Sequence, residues 1–301
     1  MLRILFATVV IHLAGFSVLA WAETPSPGLT ATPSAEILMS YRRLLPLEGG
    51  SNFRDLGGYP TADGKFVKRG LLFRSGAMTG LTEADQDYLA QFQFHSVIDL
   101  RSNEELDLYP NRWAENAGLS YVHHEYSMVD MMQKSSTEPS AKPSDYSGMY
   151  FHMMDFLKPQ LSLYFSTLLK GEVPAVVNCS AGQDRTGVTA ALVLTTLGVP
   201  RELVIEDYLL STDFRRPDHE KGDIDLAAAA KTNAFAAMML KYGQGKDSAR
   251  PNPLVTADGV PFISFTLDTI EHRYGSVSAY LAQELGIDAL AQEKLRAMYL
   301  Q

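Results

Sequence analysis

The chain has 301 residues, 46% of them hydrophobic and 20% charged, an ordinary globular composition with length enough for one large α/β domain and a sizeable core. Its formal net charge of −9 argues against the broad basic surface that a nucleic-acid partner would need, so no such partner is expected. An anion can still bind wherever positive potential is local.

Arg3 opens a minimal positive region, Ile4 to Leu19 is mostly apolar, and Ala20-Trp21-Ala22 offers a small-residue cleavage site before Glu23. Residues 1–22 therefore read as a signal peptide. The protein is expected to be exported, periplasmic or secreted, with no stable membrane insertion after cleavage. An uncleaved anchor is the alternative, because the run approaches bilayer-spanning length, but His12, Gly15 and Ser17 weaken it. Residues 23–36, with Pro25, Pro27 and Pro33, read as a flexible leader, and 37–301 as a single domain.

Phe53 to Arg74 suggests short strands around the turn Thr61-Ala62-Asp63-Gly64. Thr82 with Asp85 predicts a capped helix running to Gln93. His95 to Leu100 and Leu119 to Glu125 read as short strands. Residues 128–148 pass from Met-rich to Ser, Lys and Pro and are expected to form a helical lid insertion or a loop. Apolar residues at helical spacing predict a helix from Tyr150 to Leu169, kinked or restarted at Pro159 and ended by Gly171 and Pro174. Ala175-Val176-Val177 is a buried strand, and a very apolar helix spans Thr186 to Leu197. Beyond residue 201 the chain is mainly helical, with one helix over Ala227 to Leu240 and two short ones in Val277 to Tyr299 broken at Gly286. This order predicts an α/β fold: a central, mostly parallel sheet flanked by helices, with a helical C-terminus.

Cys179 is the only cysteine, so it can form neither an intramolecular disulfide nor a multi-cysteine metal site. The bland reading is a small buried apolar residue. Its setting says more: a Val-rich strand, then Cys-x5-Arg, then Thr186-Gly187 and a helix. Ser180 to Asp184 can wrap with their backbone N–H groups inward, making a nest for an anion, and the helix adds its N-terminal partial charge. Ala181 and Gly182 are small enough for close backbone approach. Arg185 can grip two phosphate oxygens with its planar fork. The same field favours thiolate at Cys179, to which Thr186 can donate its hydroxyl. Ser180, Ala181, Gly182, Gln183, Thr186 and Gly187 are thus the substrate-binding candidates of the loop.

The segment Asn178-Cys179-Ser180-Ala181-Gly182-Gln183-Asp184-Arg185-Thr186-Gly187 resembles the His-Cys-x-Ala-Gly-Lys-Asp-Arg-Thr-Gly signature of the bacterial tyrosine-phosphatase-like family. Further motifs are similar in the same order: Asn52 to Tyr59, Leu72 to Gly76, Val97 to Arg101, and Ile270 to Val277 with Tyr280-Leu281. The resemblance implies a protein-tyrosine-phosphatase-like fold. It also implies a two-step hydrolysis in which Cys179 attacks phosphorus and water then releases the phosphate. Arg185 and the loop amides would balance the charge, with no metal or other cofactor required. Partners would be phosphorylated proteins, lipids or small molecules.

Two departures stand out. Asn178 replaces the family's His, and Gln183 replaces its Lys, leaving the rim one cation short and weakening the expected pull on polyphosphorylated ligands. Two carboxylates compete for the role of acid: Asp184 inside the loop, and Asp99 at a strand's C-terminal end. Asp99 could equally form a structural salt bridge with Arg54 or Arg101. Arg54 and Arg74 are candidates to line the mouth, or else structural cations, with Arg54 counted as a further substrate-binding candidate. His123 and His124 point to opposite faces of a strand and so make no metal site. A catalytically silent phosphate-binding module and a rhodanese-like sulfurtransferase are the rival readings. The intact Cys179, Arg185 and Thr186 argue against the first, and the Arg185-Thr186-Gly187 ending fits phosphate better than the second.

Overall fold

Strands β2 (Leu72–Ser75), β3 (Ser96–Asp99) and β5 (Ala175–Asn178) are buried at every position, as strands covered on both faces should be. With β1 (Arg54–Asp55) and β4 (Ser120–His123) they form one sheet in the order β1-β2-β5-β3-β4. The three pairings among β2 to β5 are parallel and β1 joins β2 antiparallel. The structure is a computed structural model, and it describes residues 33–129, 147–222, 224–243 and 251–301. The expected signal peptide, residues 23–32 of the leader and residues 130–146 of the lid insertion lie outside the described residues.

Alternation along the strands sorts the core into two layers. Leu72, Ile98, Ala175 and Val177 face the larger cluster, with helices Ser147–Phe156, Lys158–Lys170, Arg185–Thr196 and the C-terminal helices. Phe73, Val97 and Val176 face the other side, where Phe53, Phe92, Phe94 and Trp113 pack. Phe53 meets Phe73, Phe94 and Trp113 edge-on at ring-centroid distances of 6.2, 5.9 and 6.3 Å. Ser75, Asn178, Asp99 and His123 stand in register, so the C-terminal ends of four strands form one rim, with β5 at its centre. In an open parallel sheet that rim is where ligands bind.

The helices start and stop largely where the residues dictate. Thr82 and Asp85 form a reciprocal capping box on Glu83–Ala90, and Ser102 and Glu105 form a second on Asn103–Leu108. The first described helix, Ala35–Met39, starts two residues inside the expected leader. The Tyr150 to Leu169 run divides at Leu157, with Pro159 in the first turn of the new helix, where its missing N–H costs nothing. The single helix expected over Ala227 to Leu240 is instead two, Leu226–Ala229 and Ala234–Gly243. Asn233 divides them: its Oδ1 accepts from the Ala236 amide at 3.0 Å and its Nδ2 donates to the Glu104 carbonyl at 2.8 Å. Among the described residues, no helix is long and apolar enough to cross a membrane.

Phe53, 1% exposed, flanks both Asn52 and Arg54, whose side chains reach the rim described below. Phe53→Ala should lower the unfolding free energy by about 3–5 kcal/mol in chemical denaturation; a loss under about 1 kcal/mol would show that the aromatic layer closes over the gap.

Candidate active site

Cys179 leaves the central strand at the rim and is 2% exposed. The loop after it is shaped through its carbonyls. Ser180 O accepts from the Ala77 amide at 2.8 Å. Gly182 O accepts from Arg74 Nη2 at 2.7 Å and from Asn52 Nδ2 at 2.8 Å, while Ala181 O lies 3.3 Å from the same Asn52 nitrogen. A peptide whose carbonyl is turned into the protein turns its N–H the other way, into the loop. Gly182 has φ +63°, and a Cβ there would lie 2.4 Å from Ser75 O, so only glycine fits. Gly187 is needed for packing: a Cβ would come within 2.9 Å of the Tyr208 ring. The helix Arg185–Thr196 starts directly at the loop's end.

Arg185 is fixed by Glu105. Its Nη1 and Nη2 each donate to one carboxylate oxygen at 2.6 Å, and Nη1 also reaches Tyr126 Oη at 2.8 Å and Leu100 O at 3.2 Å. Glu105 Oε1 additionally accepts from Ser180 Oγ at 2.5 Å, and Oε2 from the Ser102 amide at 2.8 Å. Glu105 is fully buried, which by itself would raise its pKa, but the Arg185 guanidinium and these donors hold it below the usual carboxylate value. Burial pushes the Tyr126 hydroxyl up to about 12, so it stays a donor, to Leu100 O at 2.8 Å. Glu105 is absent from the residues singled out above; the Ser102-x-x-Glu105 spacing of a capping box was its visible signal.

Behind the loop lies a second ionic cluster. Arg54 and Arg74, both 0% exposed, grip Asp207: Arg74 Nη1 to Oδ2 at 2.5 Å and Arg54 Nε to Oδ1 at 3.2 Å. Both guanidiniums reach Ser211 Oγ at 3.2 Å, and Tyr59 Oη donates to Asp207 at 3.1 Å. Burial works against the Asp207 charge, but the two cations outweigh it and hold its pKa at about 2. Arg54 and Arg74 therefore do not line the mouth; they are structural cations under the loop. Asp99 is likewise committed. Arg101 Nε and Nη2 bind it at 2.8 and 2.6 Å and Tyr121 Oη donates at 2.9 Å, the salt-bridge alternative of the sequence reading. His123 Nε2 sits 2.8 Å from Arg101 O, in the same network.

Asp184 is half-buried in the loop. Tyr150 Oη, itself 2.7 Å from Tyr208 Oη, donates to its Oδ1 at 2.5 Å, and Gln183 Nε2 lies 3.2 Å from the same oxygen. The hydroxyl of Thr186 is buried and has no hydrogen-bond partner among the described residues. Neither side-chain atom of Asn178 has one either, so this residue does not steady the loop through its amide. The loop thus gathers a thiol, a carboxylate, a fixed guanidinium and inward amides within ten consecutive residues.

Residues 45–301 match the tyrosine phosphatase family. The triple specificity protein phosphatase PtpB of Mycobacterium tuberculosis is 27% identical over 288 residues, covering 84% of this chain and 98% of that protein. A Cupriavidus necator protein provisionally named a tyrosine-protein phosphatase is 27% identical over 259 residues, covering 83% of this chain and 86% of its own. Among solved structures, the Siw14 catalytic core aligns over 67% of this chain and 96% of its own at 13% identity, with a TM-score of 0.30, too slight to carry weight.

Asp207 has a folded-state pKa below its unfolded value, so the stability it contributes is present above about pH 4 and lost as pH falls towards 2. Asp207→Asn should cost about 3–5 kcal/mol at neutral pH, because two guanidiniums then stay buried without a counterion. It should also flatten the acid limb of unfolding free energy against pH. An unchanged acid limb would assign that limb to other carboxylates.

Proposed function

The chain belongs to the tyrosine phosphatase family and is a phosphatase; on that footing we propose that it hydrolyses phosphate monoesters through a cysteinyl-phosphate intermediate, with Cys179 as nucleophile, Arg185 as phosphate clamp and Asp184 as acid and base. The observation that carries this reading is how Arg185 spends its donors. Glu105 takes the end-on fork of Nη1 and Nη2, and Tyr126 and Leu100 share what remains on Nη1. The side-on fork of Nε and the second Nη2 N–H has no partner among the described residues. A guanidinium fixed on one edge and open on the other is prepared for two oxygens of a tetrahedral anion.

In the first step the Cys179 thiolate attacks phosphorus and an Sγ–P bond forms. The bond from phosphorus to the leaving oxygen breaks, and Asp184 supplies that oxygen's proton. In the second step water attacks phosphorus, Asp184 takes a proton from it, the S–P bond breaks and phosphate leaves with the thiolate restored. The inward amides of Ala181, Gly182 and Gln183, the helix start and the Arg185 fork meet the charge on the equatorial oxygens in both steps, already in place before reaction. Thr186, buried with an uncommitted hydroxyl, is suited to donate to the thiolate. Asp184 is favoured over Asp99 as the acid because both Asp99 oxygens are held by Arg101. Arg54 acts through the loop's shape rather than on substrate.

Phosphotyrosine is the first substrate to consider. The triple specificity in the name of the mycobacterial relative supports a range wider than one substrate class; phosphoserine, phosphothreonine and phosphoinositides are the further classes to test. The signal-like segment ending at Ala20-Trp21-Ala22 supports export.

Cys179→Ser should abolish release of p-nitrophenol from p-nitrophenyl phosphate, and residual turnover near the parent rate would refute covalent catalysis at this residue. Asp184→Asn should lose far more activity on alkyl phosphates, whose alkoxide needs a proton, than on aryl ones; equal losses would exclude the acid role. Glu105→Gln should lower kcat/KM by about 10- to 100-fold through a misplaced Arg185, with the melting temperature followed in parallel to separate misplacement from unfolding.

A further inference from the structure

Gln183 stands where the resembling signature has a cation, yet the rim beside it is not without one. Arg215, which follows the short helix Ser211–Phe214, donates from Nη1 to Gln183 Oε1 at 2.9 Å. It is gripped by Glu220, Nε to Oε1 at 2.9 Å and Nη2 to Oε2 at 2.8 Å. Glu220 is in turn fixed by Ser51 Oγ at 2.8 Å. These contacts use three of the five N–H donors of the guanidinium. One N–H on each of Nη1 and Nη2 has no partner among the described residues, and the side chain is 19% exposed. The other arginines near the loop are placed differently: Arg54 and Arg74 are wholly buried, and Arg216 donates to the carbonyls of Leu47, Glu48 and Gly50 rather than to the loop.

The segment carrying Arg215 is tied to the loop by several routes. Phe214 O accepts from the Asn52 amide at 3.0 Å, and Asn52 holds Gly182 O. Ser211 meets both arginines beneath the loop. Gln183 bridges from Arg215 to Asp184. Burial opposes the Arg215 charge, but Glu220 first, then Asp184 and Cys179, hold its pKa above the ordinary guanidinium value. The last two place it within electrostatic reach of the loop. A Lys at 183 could not accept from Arg215 and would set a second ammonium charge against it. A glutamine is the residue type that joins the two.

We propose that Arg215 is a specificity-determining residue of the phosphatase site: held by Glu220 and joined to the loop through Gln183, it binds a second phosphate neighbouring the one being removed. The cation missing at 183 is thus supplied from 215. The ligand chemistry is a polyol carrying adjacent phosphates, free or as a lipid headgroup. This inference rests on the catalytic reading above, and the two fail differently. A wild-type enzyme that hydrolyses no phosphomonoester refutes the reading of the loop, whereas an active one with no role for Arg215 refutes only this inference.

The test compares KM and kcat for an inositol monophosphate with those for the bisphosphate bearing a neighbouring phosphate, the latter both in solution and as headgroup in mixed-lipid vesicles. Arg215→Gln should raise KM for the bisphosphate about tenfold more than for the monophosphate, the factor expected for one charge-assisted hydrogen bond. The vesicle and solution arms show which source the site prefers. Gln183→Lys in the Arg215→Gln background should restore much of the lost discrimination by returning a cation to the rim. An equal rise in KM for both substrates, or no rescue in the double variant, would overturn the proposal. If Arg215→Gln does not fold, Arg215→Lys keeps the charge without the fork to Glu220: retained preference for the bisphosphate supports the proposal, and loss of that preference refutes it.

Discussion

The loop after Cys179 can present its amides to an anion only if its carbonyls point into the protein, and a carbonyl turned inward must find a donor there. At Gly182 that donor is Arg74, with Asn52 beside it. Much of the surrounding structure follows from this one contact. A buried guanidinium needs a counterion, which Asp207 supplies from the helix Arg201–Leu209. Asp207 also holds Arg54, whose Nη1 donates to the Asn52 side-chain oxygen and so aims that amide at Gly182. The antiparallel strand β1 brings Arg54 opposite Arg74 in register. The sheet edge and the helix are therefore joined by the charges needed to turn a single peptide.

That arrangement carries more charge than packing alone would call for. Two guanidiniums against one carboxylate leave a net positive charge beneath the loop. Burial and the neighbouring Arg74 lower the Arg54 pKa to about 10, which still leaves it charged at neutral pH. Buried ion pairs are weak sources of stability, because desolvation consumes most of the Coulombic gain. What this cluster does contribute is a fixed geometry and a positive field on the side of the loop opposite the solvent. Glu105 does the complementary task in front. It cancels the charge of Arg185 but fixes its orientation, so the site relies on directed N–H groups more than on net charge.

Which parts of this were legible in the sequence depends on how far apart the partners lie along the chain. Cys179, Asp184 and Arg185 sit on one loop, so their spacing could be read directly. The capping boxes at Thr82 and Ser102 and the helix break at Gly286 are also local and appear where the residues place them. Glu105 is 80 residues from Arg185, and Asp207 is 133 from Arg74. No periodicity or spacing joins such pairs; the sheet does, by bringing strand ends into register. Arg54 and Arg74 were visible as part of motifs, but only burial shows that they face inward. The helix over Ala227 to Leu240 was overextended because composition reports propensity, whereas the Asn233 contact to Glu104 is tertiary.

The substitution at Gln183 shows how the same chemistry can be served by a different distribution of charge. A lysine at that place would be a flexible point charge, acting on any anion that approached. Arg215 is paired with Glu220, so from a distance the two present a dipole whose field falls off quickly. Such a pair adds little to the long-range attraction of anions, and the chain's net charge of −9 adds none. Its open N–H groups act only on a group that touches them. On the proposed reading, a cation at 215 in place of one at 183 would choose among substrates already in the loop rather than draw them in, and Gln183, which accepts from Arg215 and donates to Asp184, is what makes that exchange structurally possible.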